Sequence, residues 1–116
     1  TDPDVPNGIE NTNKFDNNNT ISRTWTHWVF TCNANNKILD TYVSYNPPSP
    51  PQGTHRYVFD IYDITNINLN KLGLRSESIN SPVNRNTYYD NYLKKLKHIK
   101  QCKLTQDNSF YYLVKA

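Results

Sequence analysis

Aromatic and β-branched residues fall in three short runs, separated by polar stretches rich in asparagine. The first run, Trp25-Thr26-His27-Trp28-Val29-Phe30-Thr31-Cys32, has the composition of a strand. Alternation places Thr26, Trp28, Phe30 and Cys32 on one face and Trp25, His27, Val29 and Thr31 on the other. Both faces carry large apolar groups, which predicts a central strand between two layers. Asn33-Ala34-Asn35-Asn36 reads as a turn into a short strand from about Lys37 to Val43. The second run, His55 to Ile64, alternates Tyr57, Phe59 and Ile61 against Arg56, Val58, Asp60 and Tyr62. The third, Ser109 to Val114, reaches nearly to Ala116. Between the last two runs, Tyr89, Tyr92, Leu93, Leu96 and Ile99 follow helical spacing, with the lysines mostly on the other side, which predicts one amphipathic helix over 86–99. Residues 7–22 and 65–84 read as loops, the latter with short helical or extended pieces. Tyr45-Asn46-Pro47-Pro48-Ser49-Pro50-Pro51-Gln52-Gly53 holds four of the seven prolines, and each removes a backbone donor. This segment reads as a stiff loop. The pattern as a whole predicts a mainly β fold, an antiparallel sheet or sandwich built on 25–32, 55–64 and 109–114 with one or two peripheral helices.

A length of 116 residues leaves room for one core, so residues 1–116 read as a single domain. Thirteen Lys and Arg against ten Asp and Glu give +3. Lys94, Lys95, Lys97, Lys100 and Lys103 lie in a stretch without acids, so the rest of the chain sums to 8 − 10 = −2. The basic excess is local, which argues against a nucleic-acid wrapper. As a plain solvated face these lysines need no partner; as a contact, Lys94, Lys95, Lys97 and Lys100 suit acidic lipids at a membrane surface or an acidic protein. A mean hydropathy of −0.85 borders on disorder, but an aromatic fraction of 13% supplies surface worth burying. No apolar window is long enough for a spanning helix.

Cys32 and Cys102 have no metal-ligand spacing and read as reduced thiols of a cytoplasmic protein, with a single disulfide as the alternative. Neither an HxxxH pair nor an acidic calcium loop is present, so no metal and no cofactor are expected. The absence of a G-x-S-x-G elbow argues against a hydrolase. The chain contains no methionine. Thr1 therefore reads as a processed end or an internal position of something longer. The many asparagines fit an AT-rich coding genome, such as a virus or protist carries, and point to no function.

Three segments set polar groups beside rigid backbone: Asp2-Pro3-Asp4-Val5-Pro6, Trp25-Thr26-His27-Trp28, and the proline loop running into Gly53-Thr54-His55-Arg56-Tyr57. Together, and in this order, they resemble the phosphatidylethanolamine-binding protein family, whose members include kinase inhibitors and plant flowering regulators. Asn84-Arg85 through Leu96 and then Phe110 to Val114 resemble that family's penultimate helix and final core strand. The resemblance implies a small anion pocket, with Asp2, His27, His55 and Tyr57 as its polar groups and Trp25 and the loop around Pro48 and Pro50 as apolar walls. Asp4, Pro6 and Gly53 would support it. The chemistry is sound, because imidazole N–H and phenol O–H are directed donors and a carboxylate fixes a histidine tautomer. On the plainer reading, His27 is a satisfied core residue, Asp2 and Asp4 cap turns, and Trp25, Trp28 and Phe59 only pack.

The resemblance implies a non-enzymatic protein that binds a phosphorylated small molecule or phospholipid headgroup and regulates a protein partner. The alternatives are a pure interaction module with a vestigial pocket, and a hydrolase or protease inhibitor. Family members carry strands ahead of the Asp-Pro-Asp-x-Pro segment, and animal members add a C-terminal helix; neither is present in these 116 residues. The pocket is therefore expected to be more open. The strand carrying His27 is expected either to find its neighbours in upstream residues or to form oligomers through an open sheet edge, since it holds no proline or Lys, Arg, Asp or Glu.

Overall fold

The structure, a computed structural model, describes residues 1–11, 23–75, 83–98 and 109–116. Six strands appear in order: β1 (Asp2–Val5), β2 (Arg23–Trp25), β3 (Val29–Cys32), β4 (Ile38–Val43), β5 (Thr54–Asp60) and β6 (Ser109–Lys115). They pair as three two-stranded antiparallel ladders, β1–β2, β3–β4 and β5–β6. Among the described residues, helical structure is confined to one α-turn, α1 (Tyr88–Asn91), and 3-10 segments at Ile9–Asn11, Leu69–Leu72 and Leu93–His98. The fold is mainly β and antiparallel.

Thr1 and Val58 exchange both backbone hydrogen bonds, at 2.9 and 2.7 Å, so β1 runs beside β5. Backbone polar groups alternate sides along a strand. Val58 therefore faces β1, and His55, Tyr57 and Phe59 turn their backbone groups toward β6. The β3–β4 hairpin closes on asparagine chemistry. Asn33 Oδ1 accepts from the N–H groups of Asn35 and Lys37 at 2.9 and 3.1 Å, while Asn36 adopts a φ of 62°.

Trp25–Cys32 is not one strand. It divides at Thr26-His27-Trp28, β2 pairing with β1 and β3 with β4. Arg85 is the cause: its Nη1 donates to the carbonyls of Thr26, His27 and Ser44 at 3.2, 3.1 and 2.9 Å, and its own carbonyl accepts from Thr26 N–H at 2.9 Å. Asn46 N–H then donates to His27 C=O at 2.8 Å. With the backbone of 26–27 bonded this way, no continuous ladder runs through it. Nor is the segment buried on both faces, since Trp28 and Phe30 keep 37% and 38% of their surface exposed. Each half has its partner strand within the chain.

The core also lies elsewhere than the pattern predicts. Tyr42, Val43, Leu74, Tyr88 and Leu96 are its buried members, with Val29, Ile64, Ile67, Leu72 and Tyr92 packed around them. It forms where the end of β4 meets the 62–74 segment and the helical turns, not on β6. Phe110, Tyr111, Tyr112 and Leu113 of β6 remain 53%, 60%, 43% and 55% exposed. The expected helix over 86–99 is present as α1 followed by the Leu93–His98 3-10 segment; Ile99 lies outside the described residues. Its apolar spacing is right where it buries Leu96 and half-buries Tyr92 and Leu93, while Tyr88 is a buried member that the spacing missed. Cys32 is exposed with a free thiol, and Cys102 lies outside the described residues.

One backbone contact positions the site. Gly53 has a φ of 73°, and a Cβ there would stand 2.5 Å from Asn7 O and 2.9 Å from Glu10 Oε2. Only glycine fits both the conformation and the space. Gly53→Ala is expected to cost about 2 kcal/mol or more, read as a lowered urea midpoint at unchanged slope.

Candidate functional site

The short strand β1 carries two carboxylates into the interior. Asp2 and Asp4 lie on its buried face, and Pro3 and Val5 on the other. A buried carboxylate is tolerated only where its oxygens are paired. Asp4 meets that demand through Arg56, whose Nη2 donates to Oδ1 at 2.8 Å while its Nε and backbone N–H donate to Oδ2 at 3.0 and 2.9 Å. This bidentate contact holds the Arg56 pKa above its ordinary value. Asp2 Oδ1 accepts from Asp4 N–H at 2.9 Å, and Asp2 Oδ2 accepts from His55 Nδ1 at 2.6 Å.

His55 is wholly buried, and its other nitrogen is also engaged: Nε2 lies 2.8 Å from the Gln52 carbonyl. Both ring nitrogens thus face acceptors. With an acceptor at each, neither nitrogen is left to meet a ligand. Gln52 in turn donates through its side chain to Asn7 Oδ1, closing a chain of contacts from β1 through His55 to the proline loop and back to the turn after β1. Val5–Pro6 is a cis peptide in that turn.

His27 is arranged differently. It is half-buried, its Nδ1 donates to the Asn46 carbonyl at 2.7 Å, and among the described residues Nε2 has no recorded partner. Burial is the largest influence on its pKa and holds it below the ordinary 6.5; the bond to Asn46 opposes this and the Arg85 charge reinforces it. The His27 ring stands edge-on to Tyr57, with centroids 5.2 Å apart at 71°. Tyr57 also lies against His55 at 6.5 Å and stacks on Tyr112 at 5.6 Å. Burial, then the Asp2 and Tyr112 charges, push the Tyr57 phenol up to about 12, against an opposing hydrogen bond from the Ser49 N–H. Tyr57 therefore keeps its O–H proton at neutral pH, while its oxygen is already served by the loop.

The structure brings Asp2, His27, His55 and Tyr57 into one cluster. Trp25 pairs with Asp2 across the β1–β2 ladder and donates from its indole to Asn46 Oδ1 at 3.3 Å. Pro48 and Pro50 are half-buried on either side of Ser49, the loop residue that reaches Tyr57. Asp4, Pro6 and Gly53 lie around this cluster as supports: Asp4 is taken up by Arg56, and Gly53 closes against the Asn7-Gly8 turn.

Asn46, Gln52 and Arg85 are the residues that sequence reasoning missed. The first two flank the prolines, so the stiff loop itself was the available signal, whereas nothing local marks Arg85. Lys94 and Lys95 are exposed, Lys95 Nζ lying 5.9 Å from the Tyr92 ring centroid, while Lys100 falls outside the described residues. An open groove of about 480 Å³ along Tyr42 and Asn66–Asn70 shares no residue with the cluster. Among the described residues no three His, Cys, Asp or Glu side chains gather as a metal site would require.

This arrangement coincides with a family match. The family model described as phosphatidylethanolamine-binding protein covers residues 1–97 of the 116. The chain belongs to the phosphatidylethanolamine-binding protein family. No curated protein and no solved structure matches it. The match spans all three motifs and every clustered residue, and it stops short of β6. Members of this family are generally non-enzymatic binding or regulatory proteins, and membership points to that broad role here.

Two measurements follow from the geometry. Asp2→Ala leaves a buried His55 without its carboxylate and is expected to cost about 3 kcal/mol in urea unfolding. His27 has its folded-state pKa held below 6.5, so the unfolded chain binds the proton more readily. Its contribution to stability is thus complete above pH 6.5 and is lost as pH falls from there through the lower folded-state pKa. The drop in thermal midpoint from neutral to mildly acid pH is expected to be smaller in His27→Gln than in the parent chain.

Proposed function

We propose that this cluster binds a small phosphate-bearing group, free or on a headgroup, and that the domain uses that binding to regulate a protein partner without catalysing a reaction. The observation that carries the proposal is the orientation of His27. With Nδ1 tied to Asn46 C=O, Nε2 is left for a ligand beside the Tyr57 phenol, whose oxygen accepts from Ser49 and whose proton can be donated outward. An imidazolium N–H and a phenol O–H side by side suit an oxyanion. The neighbouring carboxylate of Asp2 has one oxygen bonded to His55 and the other to the Asp4 N–H, so neither oxygen is left bare toward the anion.

Proton linkage fixes the sign of the pH effect. An anion favours the charged imidazole, so binding tightens as pH falls and weakens as pH rises past the depressed His27 pKa. Titration with inorganic phosphate and with O-phosphoethanolamine, followed by calorimetry and by the His27 ring resonances, tests this. His27→Gln is expected to weaken binding about tenfold or more, in line with the loss of a charge-assisted hydrogen bond, and to remove most of the pH dependence. Absence of binding by either compound at mildly acid pH, or an unaltered affinity in His27→Gln, overturns the proposal.

A further inference from the structure

We propose that two copies of this chain associate by antiparallel pairing of their β6 strands, edge to edge. The first support is the regularity of the β5–β6 ladder. Its register runs without interruption through seven residue pairs, from Thr54↔Lys115 to Asp60↔Ser109, whereas β1–β2 and β3–β4 both contain register shifts. Bulges, prolines and charges are the usual devices that spoil a sheet edge for pairing. β6 has no bulge and no proline, and its one charge, Lys115, stands at its end.

The second support is the direction of its backbone groups. Val58 bonds to Thr1, Arg56 N–H donates to Asp4 and Thr54 N–H donates to Glu10, so the even-numbered positions of β5 face away from β6. The odd-numbered ones face it, as the bond from Ala116 N–H to Gly53 C=O also shows. Opposite residues in an antiparallel ladder share this direction. Phe110, Tyr112 and Val114 are therefore bonded to β5, while Ser109, Tyr111, Leu113 and Lys115 turn their N–H and C=O groups outward. Among the described residues no strand meets that edge. Side chains on both faces of β6 are exposed, so the whole strand, not only its edge, lies at the surface.

The occupant is argued from self-complementarity. A twofold centred on Tyr112 sets Ser109 opposite Lys115 of the second copy and Tyr111 opposite Leu113, and each pair recurs by symmetry. This register uses all four outward residues. It also carries complementary charge: Ser109 Oγ donates to Asp60 Oδ1 at 2.8 Å, so the Lys115 ammonium of the second copy arrives in the same row as the Asp60 carboxylate. The two backbones are then about 10 Å apart, two strand spacings, a gap the lysine and aspartate side chains together can bridge. On the opposite face Tyr112 meets its own symmetry mate. Because Tyr112 stacks on Tyr57, the aromatic row becomes continuous between the two candidate sites.

Sedimentation velocity and light scattering on the full chain, over a wide range of concentration, are expected to show a reversible monomer–dimer equilibrium. Leu113→Pro removes an N–H that β5 does not use. It should weaken dimerisation roughly tenfold or more while leaving a cooperative unfolding transition, since two hydrogen bonds are lost per dimer. Leu113→Lys, which keeps every backbone donor and sets a charge against Tyr111 of the second copy, should do the same if the proline variant fails to fold. Lys115→Glu should weaken the dimer, and Lys115→Glu combined with Asp60→Lys should restore it. A chain that is monomeric at every concentration overturns the proposal, as does a dimer indifferent to both Leu113 variants. A monomer whose Tyr111 and Leu113 amides resist hydrogen exchange also overturns it, because another part of the same chain would then cover the edge.

Discussion

Two carboxylates buried on a four-residue strand are the constraint on which the rest of this structure depends. Asp2 and Asp4 have no water to solvate them, and leaving either unpaired would cost several kcal/mol. Their partners, His55 and Arg56, are consecutive on β5, so pairing both acids fixes β1 against β5 in one position and one register. The restraint propagates. His55 is gripped from the other side by the Gln52 carbonyl, and Gln52 reaches back to Asn7 just after β1. The proline loop is thus anchored at its far end by the element that anchors β5. At its near end Asn46 holds His27 and Trp25. What looks like a hydrophobic site lined by aromatics is held in place by polar contacts, while the apolar core lies some distance along the chain, under Tyr42, Leu74 and Leu96.

Much of this was legible in the sequence, and the failures have identifiable causes. Alternation located β6 to within one residue and the start of β5 equally well. It carried β5 on to Ile64, whereas the strand ends at Asp60, because Tyr62 and Ile64 beyond it pack toward the core instead of continuing the ladder. The same reasoning failed at Trp25–Cys32, where propensity favours a strand throughout. What breaks it is Arg85, distant in sequence, whose guanidinium binds two consecutive carbonyls that a ladder would have used. A local pattern carries no information about such a donor. The position of the core was misjudged for a related reason. Aromatic and β-branched residues do favour β6, but strand pairing satisfies that preference without burial, and the described structure leaves those side chains exposed.

At the site, residue types were readable and their division of labour was not. Both histidines belong to recognisable motifs, and both lie against Tyr57. Sequence alone gives them equal standing as donors. Geometry separates them, because two acceptors occupy the two nitrogens of His55 and a single carbonyl occupies one nitrogen of His27. The distinction depends on Gln52 and Asn46 presenting backbone carbonyls at particular points of the proline loop. Prolines at 47, 48, 50 and 51 make that possible, since each fixes its own φ and restricts the residue before it, so the loop offers few alternative paths.

The buried acid beside the two histidines presents an electrostatic problem that the same contacts resolve. A phosphate group brought next to an unpaired aspartate would meet a like charge at short range, where the surroundings screen poorly. Asp2 is not unpaired: a wholly buried imidazole spends one nitrogen on its carboxylate, and a backbone amide occupies its second oxygen. In the proposed role His55 serves the anion without touching it, by hydrogen-bonding the acid and by holding the loop from which Ser49 reaches the Tyr57 phenol. The positive charge an anion needs must then come from a residue that can gain a proton on demand. Desolvation keeps His27 neutral more readily than a free imidazole, so in the proposed role the charge of the bound anion is what draws the proton onto this ring.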